Sequence, residues 1–437
     1  MSVSKYTDKL VGFYFIMASV AMYYFITEVF EFSVHITYRH VFALVLAFSA
    51  VLCFFVKPNI ARGLTSFKSA LAYSAPLLIT TAVSLLIWFI NLENFDVISR
   101  GLSTSFIFMN MLSSALAAAG LLYIFGEKGI WYNLIAILIS NLVMIAMIIV
   151  EHGLGSFISE LITLVVTFAD ETGSIIIEAE IHELAFCLGA YLVYMMFKPK
   201  KDIIFWVLFI LAGFCFTAAF KRIAIVAIAA AIGLGWMLLF IAKRSPKTAF
   251  RTTQLLSIII MLILIGYIAI IKMDVFSMLQ EAGLETSGRD KIYGIVDRFY
   301  EFSPSFIGHG IGFLTYQLNT NVGVEVGVTA VHNDFLQYFI DLGFWGYILW
   351  LASMTIFRVN YFGKKGKIEN AIVAFILMVY LVIVSSTDNT MNYPLLTTVL
   401  AVIMIGHGYD DKVRDCEIKL FGCVSEANKK RKSRSIL

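Results

Sequence analysis

The chain is predicted to be an all-α polytopic membrane protein, and three observations predict it. Of 437 residues, 60% are hydrophobic and 14% charged, against roughly 45–50% and 25% in an ordinary soluble protein. Apolar runs of about 20 residues, enough to cross roughly 30 Å of hydrocarbon at 1.5 Å per residue, recur along the whole chain. One polytopic domain over residues 1–437 is expected rather than two. Twelve spans are read, near 10–30, 40–56, 70–91, 102–124, 131–150, 182–197, 203–219, 222–242, 254–271, 332–357, 370–386 and 391–407. With both ends on one side, 25 of the 33 Lys and Arg fall on that side, the excess that short cytoplasmic loops carry. Both termini are therefore placed in the cytoplasm.

The first span follows Lys5 and Lys9 and is too long for a signal-peptide core, so it is read as retained. Cys53, Cys187 and Cys215 sit in apolar runs as small hydrophobes. Cys416 and Cys423 lack the spacing and the histidines of a zinc site, and no metal is expected. The outer loop 151–181 begins with Leu154 to Ala169, apolar but short for a crossing and interrupted by Glu160. It is read as an interfacial helix, followed by the acidic Glu171, Glu178 and Glu180.

The largest connection, 272–331, lies on the outer side and is far longer than a usual loop. Within it Ile292, Ile295, Val296 and Phe299 recur at helical spacing, with Asp290, Lys291, Asp297 and Glu301 between them, which predicts a short amphipathic helix. Pro304 stops it, and Gly308, Gly310 and Gly312 form a turn able to approach a ligand closely. The tail 408–437 carries Lys429, Lys430, Arg431, Lys432 and Arg434 and reads as solvated or against lipid headgroups. The net charge is +3; no basic patch asks for nucleic acid.

Candidate chemistry gathers where even-numbered spans begin, at the outer face. Helix N-termini there offer partial positive charge and free N–H groups to an anion. Three of these ends carry a cationic or potentially cationic residue: His182, Lys221 with Arg222, and His332. Lys221 and Arg222 occupy a very short connection; a guanidinium there grips phosphate bidentately, the structural alternative being a snorkelling side chain. His332 opens a span whose Asn333, Gln337 and Asp341 form one polar stripe, with Asp334 beside it. Its imidazole suits a general base, with Asp334 or Glu325 to orient it; a capping histidine is the alternative. Arg289 is a second anion ligand or a surface arginine. His309, between glycines, is a turn residue that loop closure would bring to a substrate, and His182 with Glu180 and Glu183 is a cluster suited to sugar hydroxyls.

These motifs resemble the O-antigen polymerase and ligase superfamily: Arg222 at a helix start, Ser287-Gly288-Arg289, Gly308-His309-Gly310-Ile311-Gly312, and His332-Asn333-Asp334-Phe335-Leu336 followed by Leu342-Gly343-Phe344-Trp345-Gly346. Arg222 followed by ten residues and Gly233 matches a further pattern described for some of these polymerases. The resemblance covers about residues 178–350. It implies a C-type glycosyltransferase fold with a large, partly helical periplasmic loop, in the bacterial inner membrane. It also implies undecaprenyl-diphosphate-linked oligosaccharide as substrate, no cofactor, Arg222, Arg289 and Lys221 on the diphosphate, and His332 as base. Asn333, Asp334, His309, His182 and Glu180 become weaker substrate contacts, and a chain-length regulator an expected partner. A polymerase is favoured over a ligase that uses lipid A core; a flippase is the rival from another class, as is a non-catalytic scaffold.

Overall fold

Almost every apolar run is a helix in the computed structural model, which describes residues 9–14, 17–18, 37–56, 58–90, 97–167, 176, 182–198, 202–219, 221–281, 289–320, 330–364 and 368–407. In chain order the helices are α1 (Thr37–Val56), α2 (Ile60–Tyr73), α3 (Ala75–Ile90), α4 (Val97–Phe125), α5 (Lys128–His152), α6 (Leu154–Thr167), α7 (His182–Met196), α8 (Ile203–Ala219), α9 (Arg222–Arg244) and α10 (Pro246–Lys272). Then come α11 (Val275–Glu281), α12 (Arg289–Val296), α13 (Phe313–Thr320), α14 (Asp334–Ala352), α15 (Arg358–Lys364), α16 (Ile368–Ser385) and α17 (Pro394–His407). No strand occurs among the described residues.

Among the described residues α5, α9, α10 and α16 are long and apolar enough to cross a membrane. So is the stretch Asp334–Gly363 by length and composition, although its backbone breaks at Gly343, and α2 with α3, bent by 52° at their junction, would add a sixth as one span. Of the other apolar helices, α1 and α4 are 20 and 29 residues long and α6, α7, α8 and α17 are shorter; the count of twelve rests on the sequence alone. Most of the first predicted span and the tail from residue 408 lie outside the described residues.

Polarity runs inside out, as a bundle in lipid requires. On α2, Ile60, Leu64, Phe67 and Leu71 face outward, while Arg62, Ser66, Ser69 and Tyr73 are buried. Arg62 Nε donates to the Leu122 carbonyl at 3.3 Å. On α8, Ile203, Val207, Ile210 and Phe214 form a similar outward stripe. The centre is made by α7, α16 and α17, buried along nearly their whole lengths.

The tenth predicted span departs most from expectation. Rather than one straight helix over 332–357, the chain folds back at Gly343, whose φ of 70° and ψ of −179° are not helical. Tyr338 and Trp350 would lie about 18 Å apart along a straight helix, yet their rings stack at 4.3 Å. The reason is local. A Cβ on Gly343 would sit 2.1 Å from the carbonyl carbon of Ile307, so only glycine lets the two backbones touch.

Asp341 locks this corner. Its Oδ2 accepts from Gly312 N at 2.9 Å and its Oδ1 from Leu314 N at 3.1 Å, while its carbonyl accepts from His309 N and Gly310 N. The Gly308–Gly312 turn is therefore pinned to the hairpin, its own φ values of 83–87° made possible by glycine. Among the described residues of the large loop, the helix predicted from its periodicity is present. Val296 is buried, Ile292, Ile295 and Phe299 pack on the core, and Lys272 Nζ holds Asp297 Oδ1 at 2.7 Å and the Tyr300 carbonyl at 3.0 Å. Helix α6 realises the predicted apolar helix after residue 151, burying Phe157 and Leu164 and exposing Ile162 and Val166.

Candidate functional site

Four elements distant in sequence meet at one short turn, Ser386 to Asn389, between α16 and the 3-10 turn Thr390–Asn392. From α10, Tyr267 Oη donates to the Ser386 carbonyl at 3.1 Å. From the start of α12, Arg289 Nη2 donates to the Thr387 carbonyl at 3.1 Å. Immediately before α14, His332 Nδ1 lies 3.5 Å from Asp388 Oδ1, and Asn333 N donates to Asn389 Oδ1 at 3.0 Å. Lys221, the N-cap of α9, acts on Asp388 through its charge. Helix starts thus bring three predicted site residues, Lys221, Arg289 and His332, to the same carboxylate-bearing turn.

His332 has a φ of 50°, a left-handed conformation that costs a non-glycine residue about 1–3 kcal/mol. This bend, one residue ahead of the helix, sets the imidazole outward. Its side chain is 54% exposed while that of Asp388 is 11% exposed, so Nδ1 rests against an enclosed carboxylate while over half of the imidazole side chain is open. Burial pushes the Asp388 carboxyl up. The His332 contact, the charge of Lys221, the Tyr393 hydroxyl at 2.9 Å and the Asn389 N–H at 2.8 Å outweigh it and leave the group below the usual carboxylate range. At neutral pH Asp388 is an anion.

Asn333 and Asp334 point inward and build the site. Asn333 caps α14 by accepting from Leu336 N at 3.1 Å, and its Nδ2 donates to the hydroxyls of Tyr267 and Tyr293 at 3.2 and 3.0 Å. Asp334 Oδ2 accepts from Met391 N at 2.8 Å, tying the α14 start to the far side of the same turn. Both are fully buried, so their place is behind the imidazole, as positioning residues.

Arg222 is the first helical residue after Lys221 and is half-buried at this end. His309 is held elsewhere, its ring stacked on Phe313 at 3.9 Å with Nε2 3.0 Å from the Phe299 carbonyl; it braces the loop. His182 begins α7, its side chain lying outside the described residues, as do Glu180 and Glu325. Glu183 accepts from Leu395 N at 2.6 Å and so caps α17.

Asp388 is the residue that the sequence reading missed, and of the two carboxylates considered as partners of His332, Asp334 is turned away. A signal was present: the polar run from Ser385 to Thr390 separates two apolar spans. A run that short looked like any connection.

Residues 184–351 match the family model described as O-Antigen ligase, the superfamily whose motifs the sequence resembles. That family covers glycosyltransferase-like membrane enzymes of polysaccharide and lipopolysaccharide assembly. The matched segment contains Lys221, Arg222, Arg289 and His332 and ends before Asp388. No curated protein matches the chain.

Proposed function

We propose that this chain, with its O-antigen ligase family segment at 184–351, is a glycosyltransferase of surface-polysaccharide assembly, and within that class a polymerase. It transfers a glycan chain from undecaprenyl diphosphate to the non-reducing end of a lipid-linked repeat unit. The carrying observation is the pairing of exposed His332 with buried Asp388 on a turn that Arg289 also grips.

In this reading Asp388 fixes the Nδ1–H tautomer of His332, which leaves Nε2 as the base. Nε2 takes the proton of the acceptor hydroxyl as its oxygen attacks the anomeric carbon. The carbon–oxygen bond to the diphosphate breaks in the same displacement and inverts the centre. Charge grows on the leaving diphosphate, where Arg289, Lys221, Arg222 and the N-terminus of α9 meet it. Undecaprenyl diphosphate leaves, and the histidine returns its proton to water. The site end is assigned to the periplasmic face of the inner membrane on the lysine and arginine bias.

The ligase reaction named by the family model uses the same donor, with lipid A core as acceptor. The test is purified protein in nanodiscs with a synthetic undecaprenyl-diphosphate repeat unit and EDTA. A ladder of products that vanishes with His332→Ala supports the polymerase. Transfer only when lipid A core is added makes it a ligase, and bound but unreacted substrate sinks both in favour of a flippase.

A further inference from the structure

Beneath the reaction-end turn lies a partly open cleft walled by Tyr73, Ser74, Met111, Trp350, Arg358 and Met391 among others. Three irregularities of the backbone converge on it. The α2–α3 break falls at Ser74, the hairpin arm that began at Gly343 carries Trp350, and the π-helical turn Ser353–Phe357 ends at Arg358. π-turns and helix breaks inside membrane bundles concentrate at functional positions.

Arg358 donates Nε and Nη2 to a single acceptor, the Tyr73 carbonyl at 2.8 and 2.5 Å, and lies 4.1 Å over the Tyr73 ring. No carboxylate pairs with it among the described residues, so a positive charge stands in the bundle with only a carbonyl and a ring for company. Arg358 follows the predicted end of its span at 357 yet turns into the bundle, and charged residues facing the interior of a membrane bundle are costly and mark ligand paths. A second observation points the same way. The indole N–H of Trp350, whose side chain is fully buried on this cleft, has no hydrogen-bond partner. Other cleft hydroxyls are engaged: Tyr73 Oη donates to the Thr397 carbonyl at 2.9 Å, and Ser114 Oγ donates to the Pro394 carbonyl at 3.0 Å and meets Thr397 Oγ1 at 2.5 Å. The spare capacity at Arg358 and Trp350 is all donor, so the missing ligand is an acceptor, and the charge makes it an anion. Leu77, Met111 and Leu381 supply apolar wall for an attached chain.

We infer that this cleft is a second oxyanion site, distinct from the 386–389 turn, which takes the phosphate of a lipid. Two sources carry that chemistry, a polyprenyl-linked glycan and an ordinary anionic phospholipid. The first rests on the polymerase reading, which needs two lipid-linked substrates at once; the second does not.

The experiment is native mass spectrometry of the full chain in detergent, titrated with undecaprenyl diphosphate, phosphatidylglycerol or, as a phosphate-free control, diacylglycerol. Arg358→Gln keeps a donor for the Tyr73 carbonyl and removes the charge; Trp350→Phe keeps the ring and removes the N–H. Expected is retention of a phosphate-bearing lipid but not of diacylglycerol, with affinity down at least about tenfold in Arg358→Gln and severalfold in Trp350→Phe. Loss of undecaprenyl diphosphate alone identifies the glycan carrier, and loss of phosphatidylglycerol alone the phospholipid. Wild-type affinity in both variants overturns the site, as does an Arg358→Gln protein that fails to fold beside a Trp350→Phe protein that binds normally, because Arg358 is then only a cap on α2. Failure of the polymerase reading shows separately, as Arg289→Ala with unchanged transfer.

Discussion

His332 and Asp388 stand on either side of helix α16 and its preceding hairpin in the chain, and they meet with Nδ1 3.5 Å from Oδ1, the imidazole open and the carboxylate enclosed. In the proposed reaction that asymmetry suits the first to act as base and the second as orienting anion. Asp388→Asn retains size and loses the charge, so transfer is expected to fall about 10²- to 10³-fold in kcat, with KM for the lipid-linked donor little changed. Steady-state kinetics on the purified variant checks this; an equal rise in KM would make Asp388 a binding residue instead.

The same carboxylate links stability to pH. Its value is depressed in the folded protein, so its contribution is complete above the unfolded value of about 3.9 and is lost as pH falls through the folded one. Thermal unfolding of the wild type is expected to lose stability more steeply than Asp388→Asn as the buffer is taken below about pH 4. Parallel curves would remove Asp388 from the list of stabilising charges.

Arg289 fastens the α12 start to the Thr387 carbonyl, and Arg222 begins α9 beside Lys221. Replacing either arginine by lysine keeps the charge and removes the planar fork. Donor affinity is expected to drop about tenfold or more at unchanged membrane levels, read by substrate titration. Near-normal affinity in Arg222→Lys would return that residue to a snorkelling role.

Gly343 allows the hairpin that carries the α14 start to the turn. Gly343→Ala demands a left-handed φ from alanine and drives its Cβ to 2.1 Å from Ile307, a loss of at least about 1–3 kcal/mol from the backbone alone. Little folded protein is expected, by fluorescence size exclusion of a tagged chain. A well-folded variant would mean the arms do not lie side by side.

Asp341 tests the same corner from the other side. Asp341→Asn exchanges one of two accepting oxygens for a donor facing the Gly312 and Leu314 N–H groups, at a cost of about 1.5–3 kcal/mol. A drop in thermal stability together with lost transfer is expected, even though the residue faces the loop and not the turn at 386–389.

Sequence alone determined the class and most of the helices. Hydrophobicity and the length of apolar runs follow from what lipid demands of each segment separately, so they are written locally. The amphipathic face of Ile292, Ile295 and Val296 was legible for the same reason, and so were Lys221 and His332, because helix starts can be read from the edges of apolar runs, while Arg289 stood out only as an arginine of the outer loop. What only the tertiary structure decided is how those edges meet. The fold-back at Gly343 leaves the apolar pattern of 332–357 unchanged, since both arms are buried and periodicity carries no record of a reversal. Nor does any local pattern say that Asp388, beyond the next span, is the partner of His332 while Asp334, two residues from it, faces the other way. One residue of left-handed backbone at His332 separates those outcomes, and it is held there by contacts from α10, α12 and the 386–389 turn.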